Sequence, residues 1–288
     1  MDLPGIPFRT ALVGAGRVGT AVAELLRRAG NTVIGVSSRT TESAEREARR
    51  LDVPVMAIED APRAEVILLG VPEAALPEMD ELLAPRVGPG HVVWHVAGAH
   101  GVSALERVAT AGASVAALHP VQACPSVDAA IRRLPGSAWG VTCSPGLEGW
   151  SAEVVSGQLE GRPVPVPEDL RPLWHAAAVV TSNGVTALMA SGERLIGGIT
   201  DGPEHVLGPL ALGTITNAIE GGGGAATLTG PVMRGEVATV QRHLEALRSR
   251  DPEMAKIYIS TTRMILDVAE QAGRVDEGTA ARMRTLLG

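Results

Sequence analysis

Residues 10–30, TALVGAGRVGTAVAELLRRAG, restrict the fold of this chain more than any other stretch. An apolar strand over Thr10 to Val13 runs into Gly14-Ala15-Gly16-Arg17-Val18-Gly19. Apolar residues then recur at Val18, Ala21, Val22, Leu25 and Leu26, the spacing of one helix face, until Gly30 stops the helix. With 34 glycines in 288 residues the G-x-G-x-x-G pattern arises easily by chance, so its context decides. Here it follows a strand, opens an amphipathic helix and precedes a second apolar strand, Thr32 to Val36. That order is the dinucleotide-binding βαβ unit, in which Gly14 permits the tight turn, Gly16 lets backbone approach a pyrophosphate and Gly19 allows close helix packing. Ala15, Arg17 and Val18 complete the expected cofactor turn.

The second strand ends in Ser37-Ser38-Arg39-Thr40, without the acidic residue that hydrogen-bonds a ribose 2′-hydroxyl in NAD-binding folds. Three hydroxyls and a guanidinium suit a 2′-phosphate instead, so the sequence predicts NADP(H) over NAD(H). The competing reading of Arg39 is an ion pair with a glutamate of the next helix, Thr41 to Leu51.

Further strands follow in AEVILLGVPEAAL, HVVWHVAGAHG, ASVAALHPVQA and SAWGVTCS, with a short strand after the helix that begins near Leu147. Near-continuous apolar runs of this kind belong to parallel strands covered on both faces. Ligands bind beyond the carboxyl ends of such strands, which places Val71, Pro72, Gly98 and His119 near the nicotinamide end. The Pro-rich RPVPVPEDLRP marks a boundary near residue 168, and helices dominate afterwards. The expected architecture is a doubly wound, mostly parallel α/β sheet over residues 1–168, followed by an all-helical domain over 169–288.

Pro172 opens a helix so rich in Ala and Val that a buried connecting position is expected. At 100° per residue His175, Val179, Ser182 and Thr186 share one face with Asn183 nearby, as either a satisfied polar stripe or a substrate-facing one. A glycine tract at 221–224 suggests a mobile loop, and Arg234-Gly235-Glu236 precedes another helix. Asp251 caps the clearest helix, Pro252 takes its first position and Gly273 ends it.

Composition removes other classes. Aromatics are 2% of the chain, so the core is aliphatic; a net charge of −7 argues against a phosphate-backbone partner. No apolar run reaches membrane-spanning length and the N-terminus lacks a leader pattern, so a cytoplasmic chain is expected. Cys124 and Cys143 read as packing residues. No metal-ligand spacing accompanies His91, His95 and His100, so no metal site is expected. Lys256 is the one lysine.

GAGRVG, VPE, HPVQ, HAAAVVTSN, LTGPVMRGEVATVQRHL and IYISTTRMILDVA together resemble the bacterial two-domain family that joins a Rossmann-like domain to a helical domain of unknown function. That family is similar to the group of 6-phosphogluconate dehydrogenase, β-hydroxyacid dehydrogenase, pyrroline-carboxylate reductase and ketopantoate reductase. The resemblance implies NADP binding, a helical C-terminal domain of the 6-phosphogluconate dehydrogenase type and a homodimer through those helices. It also marks a departure: the β-hydroxyacid dehydrogenases carry a proton-donating lysine on the connecting helix, where this chain has His175 and Asn183.

The expected reaction is hydride transfer from NADPH to a small keto acid, ketopantoate-like among the options, or to an imine, bound between the domains. His175 or His119 would supply the proton that a ketone needs, Asn183 and Ser182 would hold the oxygen, and Arg234 would grip a carboxylate. Gly98 would line the substrate. A non-catalytic NADP-binding regulator and a sugar-nucleotide binder are the rival readings.

Overall fold

A computed structural model describes residues 4–288, divided into two compact units: the residues up to Asn183, and Gly184–Gly288. The first unit is built on a seven-stranded sheet in the order β2-β1-β3-β4-β5-β6-β7. Its strands are β1 (Arg9–Val13), β2 (Thr32–Ser37), β3 (Val66–Leu69), β4 (Val92–His95), β5 (Ser114–Pro120), β6 (Ala138–Cys143) and β7 (Arg162–Pro165). All neighbours are parallel except β5 and β6. β7 carries Pro163 and Pro165, which an edge strand tolerates because one side of its ladder needs no donors.

Alternate residues of each central strand enter opposite cores. Leu12, Val66, Leu68, Val92, Trp94, Ala116 and Leu118 join one cluster, and Ala11, Val13, Ile67, Leu69, Val93 and Val115 the other. Helices α1 (Arg17–Arg28), α2 (Thr41–Leu51), α5 (Val127–Arg133) and α6 (Glu148–Glu153) supply the first cluster through residues such as Leu26, Leu51, Ala130 and Trp150. Helices α3 (Leu76–Leu83) and α4 (Glu106–Thr110) supply the second through Leu83 and Val108. With both faces covered, the sheet is doubly wound, as the apolar runs require. The half-buried Cys124 and Cys143 pack against the first cluster, and burial pushes both thiols up.

Helix α7 (Arg171–Val179) passes through a π-helical turn over Val180–Gly184 into α8 (Val185–Ile196). This segment corrects the expectation of a buried connecting helix. Arg171 is its one buried residue up to Val179, α8 has none, and Leu173 and Val180 are each 68% exposed. The segment is apolar as read, but most of its apolar side chains are exposed rather than buried. The π turn also ends the 100° count along the helix after Val179, so the projected polar face does not continue in register to Thr186.

In the second unit α9 (Pro203–Glu220) is followed by α10 (Gly224–Thr227), α11 (Val237–Arg250), α12 (Pro252–Gln271) and α13 (Glu277–Leu287). Val240, Leu244, Leu266, Ala280, Met283 and Leu287 knit the last three into a core. Asp251 caps α12 by accepting from the Met254 N–H, and Gly273 leaves it with φ of +65°. Among the described residues no helix is long and apolar enough to cross a membrane.

Candidate active site

The sheet order reverses direction of growth between β1 and β3, and the glycine turn sits at that switch point. Gly14 has φ of +93°, and its N–H donates to the Ser37 carbonyl at 2.7 Å. Gly16 and Gly19 are pressed onto Gly70, which follows β3: a Cβ on Gly16 would stand 2.4 Å from the Gly70 oxygen, and one on Gly19 would stand 2.6 Å from its Cα. Gly16 is therefore required by the protein's own backbone as well as by any approaching phosphate. Ala15 is half-buried, and Arg17 opens α1 with its guanidinium donating to the Pro125 carbonyl at 3.3 Å. Val18 packs against the core.

Of the four residues closing β2, Ser37 is buried and Ser38 half-buried, while Arg39 and Thr40 are exposed. Thr40 is the N-cap of α2 and its hydroxyl accepts from the Ser43 N–H at 3.3 Å, a structural duty the sequence reading did not give it. Arg39 forms no ion pair among the described residues. The alternative in which it pairs with a glutamate of α2 is not what the structure shows, since Glu45 bonds Arg49 instead.

A second constellation lies where β4 and β5 end. His119 and His175 stand edge to face with ring centroids 5.3 Å apart. His175 packs against the loop after β4: a Cβ on Gly98 would meet its Nδ1 at 2.2 Å. Gly98 thus serves as the seat of His175. Its N–H, with that of Ala99, is already donated to Glu73, which follows Val71 and Pro72. Burial opposes ionisation of Glu73, but the Ala99 and Gly98 donors outweigh it and hold the carboxyl below its ordinary range.

Burial pulls His119 down to about 4, assisted by the neighbouring His175 and Arg171, so its ring is neutral at neutral pH. His95 is fully buried and likewise pulled to about 4. Its Nε2–H donates to the Gly101 carbonyl at 2.9 Å while its Nδ1 accepts from the Ala97 N–H, the bonding of a neutral ring. Glu168 caps the turn after Gly101, accepting from the Val102 and Ser103 N–H groups and the Ser103 hydroxyl.

The structure brings His119, His175 and Gly98 together. Ser182 and Asn183 are exposed in the π turn. Arg234, in the second unit, is bound by Glu236 through two hydrogen bonds, so its fork is already occupied by a carboxylate. Three participants escaped the sequence reading: Glu73, Glu168 and Arg171. Arg171 left one signal, a cation at the first position of a helix, where the dipole disfavours it.

Two family models match the chain. The Rossmann-like domain covers residues 4–120, and DUF2520, a domain of unknown function, covers residues 138–265. This chain is a Rossmann-like domain joined to a DUF2520 domain. The DUF2520 match opens at β6, so it takes in two strands of the sheet as well as helices. No curated protein matches. Similar solved structures include protein BF3122 of Bacteroides fragilis, at 22% identity and TM-score 0.76 over 90% of this chain and 98% of that one. Protein TM1727 of Thermotoga maritima has 22% identity and TM-score 0.70 over 91% and 98%. A reductive aminase from Aspergillus terreus, solved with NADPH and ethyl-5-oxohexanoate, has 16% identity and TM-score 0.66 over 96% and 99%. These likenesses establish that the Rossmann–DUF2520 chain shares their fold.

Proposed function

We propose that this protein is an NADP(H)-dependent oxidoreductase that reduces a small imine or keto substrate. One observation carries the reading: a glycine turn locked at the sheet's switch point, with the exposed, ion-pair-free Arg39 at the end of the adjoining strand. The turn over Gly14–Gly19 and the N-terminus of α1 would hold the pyrophosphate, Ser37, Ser38 and Arg39 the 2′-phosphate, and Val71 and Pro72 the nicotinamide end. NADPH, when bound, supplies the hydride. The reductive aminase, whose fold this chain shares, is a protein solved with NADPH.

The proton requirement favours the imine. A ketone becomes an alkoxide that must be protonated, and a neutral His119 has no imidazolium proton to give. An iminium arrives already protonated. His175, with Asn183 and Ser182 further along the same segment, would orient the substrate, while Arg234 would need to leave Glu236 to bind a carboxylate. In this reading cofactor binding belongs to residues 1–168, and substrate and dimer contacts to 169–288. The homodimer would form through the exposed apolar sides of α8 and α9.

Fluorescence titration with NADPH and NADH tests the reading. Native protein is expected to prefer NADPH, and Arg39→Ala to weaken NADPH about 10- to 100-fold while leaving NADH nearly unchanged. Binding of neither cofactor refutes it. Binding of NADPH with no oxidation by any cyclic imine or keto acid would favour a non-catalytic regulator.

A further inference from the structure

Arg171 is fully buried, yet it faces no carboxylate at ion-pair distance among the described residues. Burial pulls it down to about 10, so it stays charged at neutral pH. A buried guanidinium is costly unless its donors are satisfied. Here the two terminal nitrogens reach main-chain oxygens, while Nε has no partner among the described residues: Nη2 donates to Ala97 at 2.7 Å, and Nη1 lies 3.2 Å from the Ala117 oxygen, 3.1 Å from that of Gly140 and 3.4 Å from the Thr142 hydroxyl. Each main-chain acceptor is a neighbour of the histidine pair. Ala97 precedes Gly98, Ala117 lies two residues before His119, and Gly140 is the cross-strand partner of His119.

Trp174 and His175 follow Arg171 by three and four residues, so the three share one face of α7. That face meets the sheet at glycines. A Cβ on Gly140 would stand 2.6 Å from Trp174 Nε1, as one on Gly98 would meet His175. Two side chains are seated where no Cβ fits, and the third is bonded to the strands around those seats.

We propose that Arg171 is the positioning residue of this site: by tying the first turn of α7 to the carbonyls of Ala97, Ala117 and Gly140, it sets His175 against Gly98 and edge-on to His119. This deepens the oxidoreductase reading, on which its catalytic consequence rests. Lysine is no substitute, because a flexible point charge cannot span carbonyls from three segments as a planar fork does.

The test is side-chain NMR of the histidines, with full-length native protein, Arg171→Met and Arg171→Lys, and Gly98→Ala as reference for a displaced His175. Native protein is expected to show a His119–His175 ring contact. Both Arg171 variants should keep native helical signal by circular dichroism and lose that contact. In the methionine variant His119, which faces His95, His175, Arg171 and Glu73, should also titrate nearer the free-imidazole value of ~6.5. With a cyclic imine that the native protein reduces, kcat should fall more than about 10-fold while NADPH affinity changes less than about 2-fold. Persistence of the ring contact in either variant overturns the proposal. So does failure of both to fold, which would make Arg171 a fold-holding residue only. A native protein that shows the contact but binds no NADPH would refute the oxidoreductase reading and leave the positioning role standing.

Discussion

The two units bury their apolar residues in opposite ways. In the sheet unit the central strands are closed on both faces, and residues such as Leu12, Leu68 and Trp94 are wholly inaccessible. In the helical unit α11–α13 form a core, but α8 and α9 bury nothing, and Leu210 and Ile219 are 66% and 77% exposed. A helix apolar on every side is covered by protein or lipid, and no helix among the described residues is suited to cross a membrane. The sheet unit covers its own apolar strands, whereas α8 and α9 leave apolar side chains exposed, the surface on which the proposed homodimer rests.

The comparison breaks most visibly at that surface. Native protein should sediment as two copies of 29.7 kDa, and Leu210→Glu with Ile219→Glu should weaken association about 100-fold or more, because two charges would be stripped of water in the contact. NADPH binding should be much less affected. A native chain that sediments as a monomer would end the dimer proposal.

The sheet unit should fail by a different route. Gly16→Ala places a methyl 2.4 Å from a carbonyl that the β1–β3 pairing holds in place, so about 1–3 kcal/mol of stability should go, with NADPH binding and without a change in sedimentation. Gly30→Ala meets nothing within 4 Å and pays only for its φ of +94°, about 1 kcal/mol. Equal melting temperatures for the two variants would show that Gly16 is not packed as described.

Much of the sheet unit was legible because its signals are local. Strand periodicity, the glycine turn, Gly30 and the helix Thr41–Leu51 each follow from neighbouring residues. The π turn over Val180–Gly184 has no such signature, and it undid a projection that assumed α-helical geometry throughout. Glu73, Glu168 and Arg171 were hidden for another reason. Each works on backbone 25 or more residues away, and in the sequence a carboxylate beside a proline or an arginine in a Pro-rich stretch looks like surface. The apolar content of α7 and the start of α8 was plain, but a sequence cannot say whether such residues end buried or exposed.

Acid should distinguish the units next. Burial holds His119 and His95 at about 4, so between there and the free value of ~6.5 the unfolded chain binds more protons than the native one. Their contribution is complete above ~6.5 and lost as pH falls toward 4, by on the order of 3 kcal/mol per ring at most. The lowered carboxyls of Glu73 and Glu168 act only below that window, from the ordinary carboxylate range of ~4.3 downward. Urea midpoints at pH 7.5 and 5 should therefore differ, and His119→Asn should flatten the difference. An unchanged slope in that variant would mean that His119 titrates alike in the native and unfolded chain, which would restore it as a proton donor for a ketone near neutral pH.

The smallest effect falls where one residue belongs to both fold and site. Thr40→Ala removes the α2 cap and should cost about 1 kcal/mol of stability. Its effect on cofactor choice should be slight, because the hydroxyl already accepts from Ser43 and the 2′-phosphate would take its charge from Arg39, two donors of which can bond a phosphate in parallel. Comparing Thr40→Ala with Arg39→Ala in the NADPH and NADH titrations separates the two duties. Equal losses of NADPH preference would mean that the Thr40 hydroxyl donates to the phosphate while it caps the helix, so that cofactor choice and the start of α2 depend on one oxygen. A loss confined to Arg39→Ala would leave the cap as part of the scaffold and the guanidinium as the determinant of selectivity.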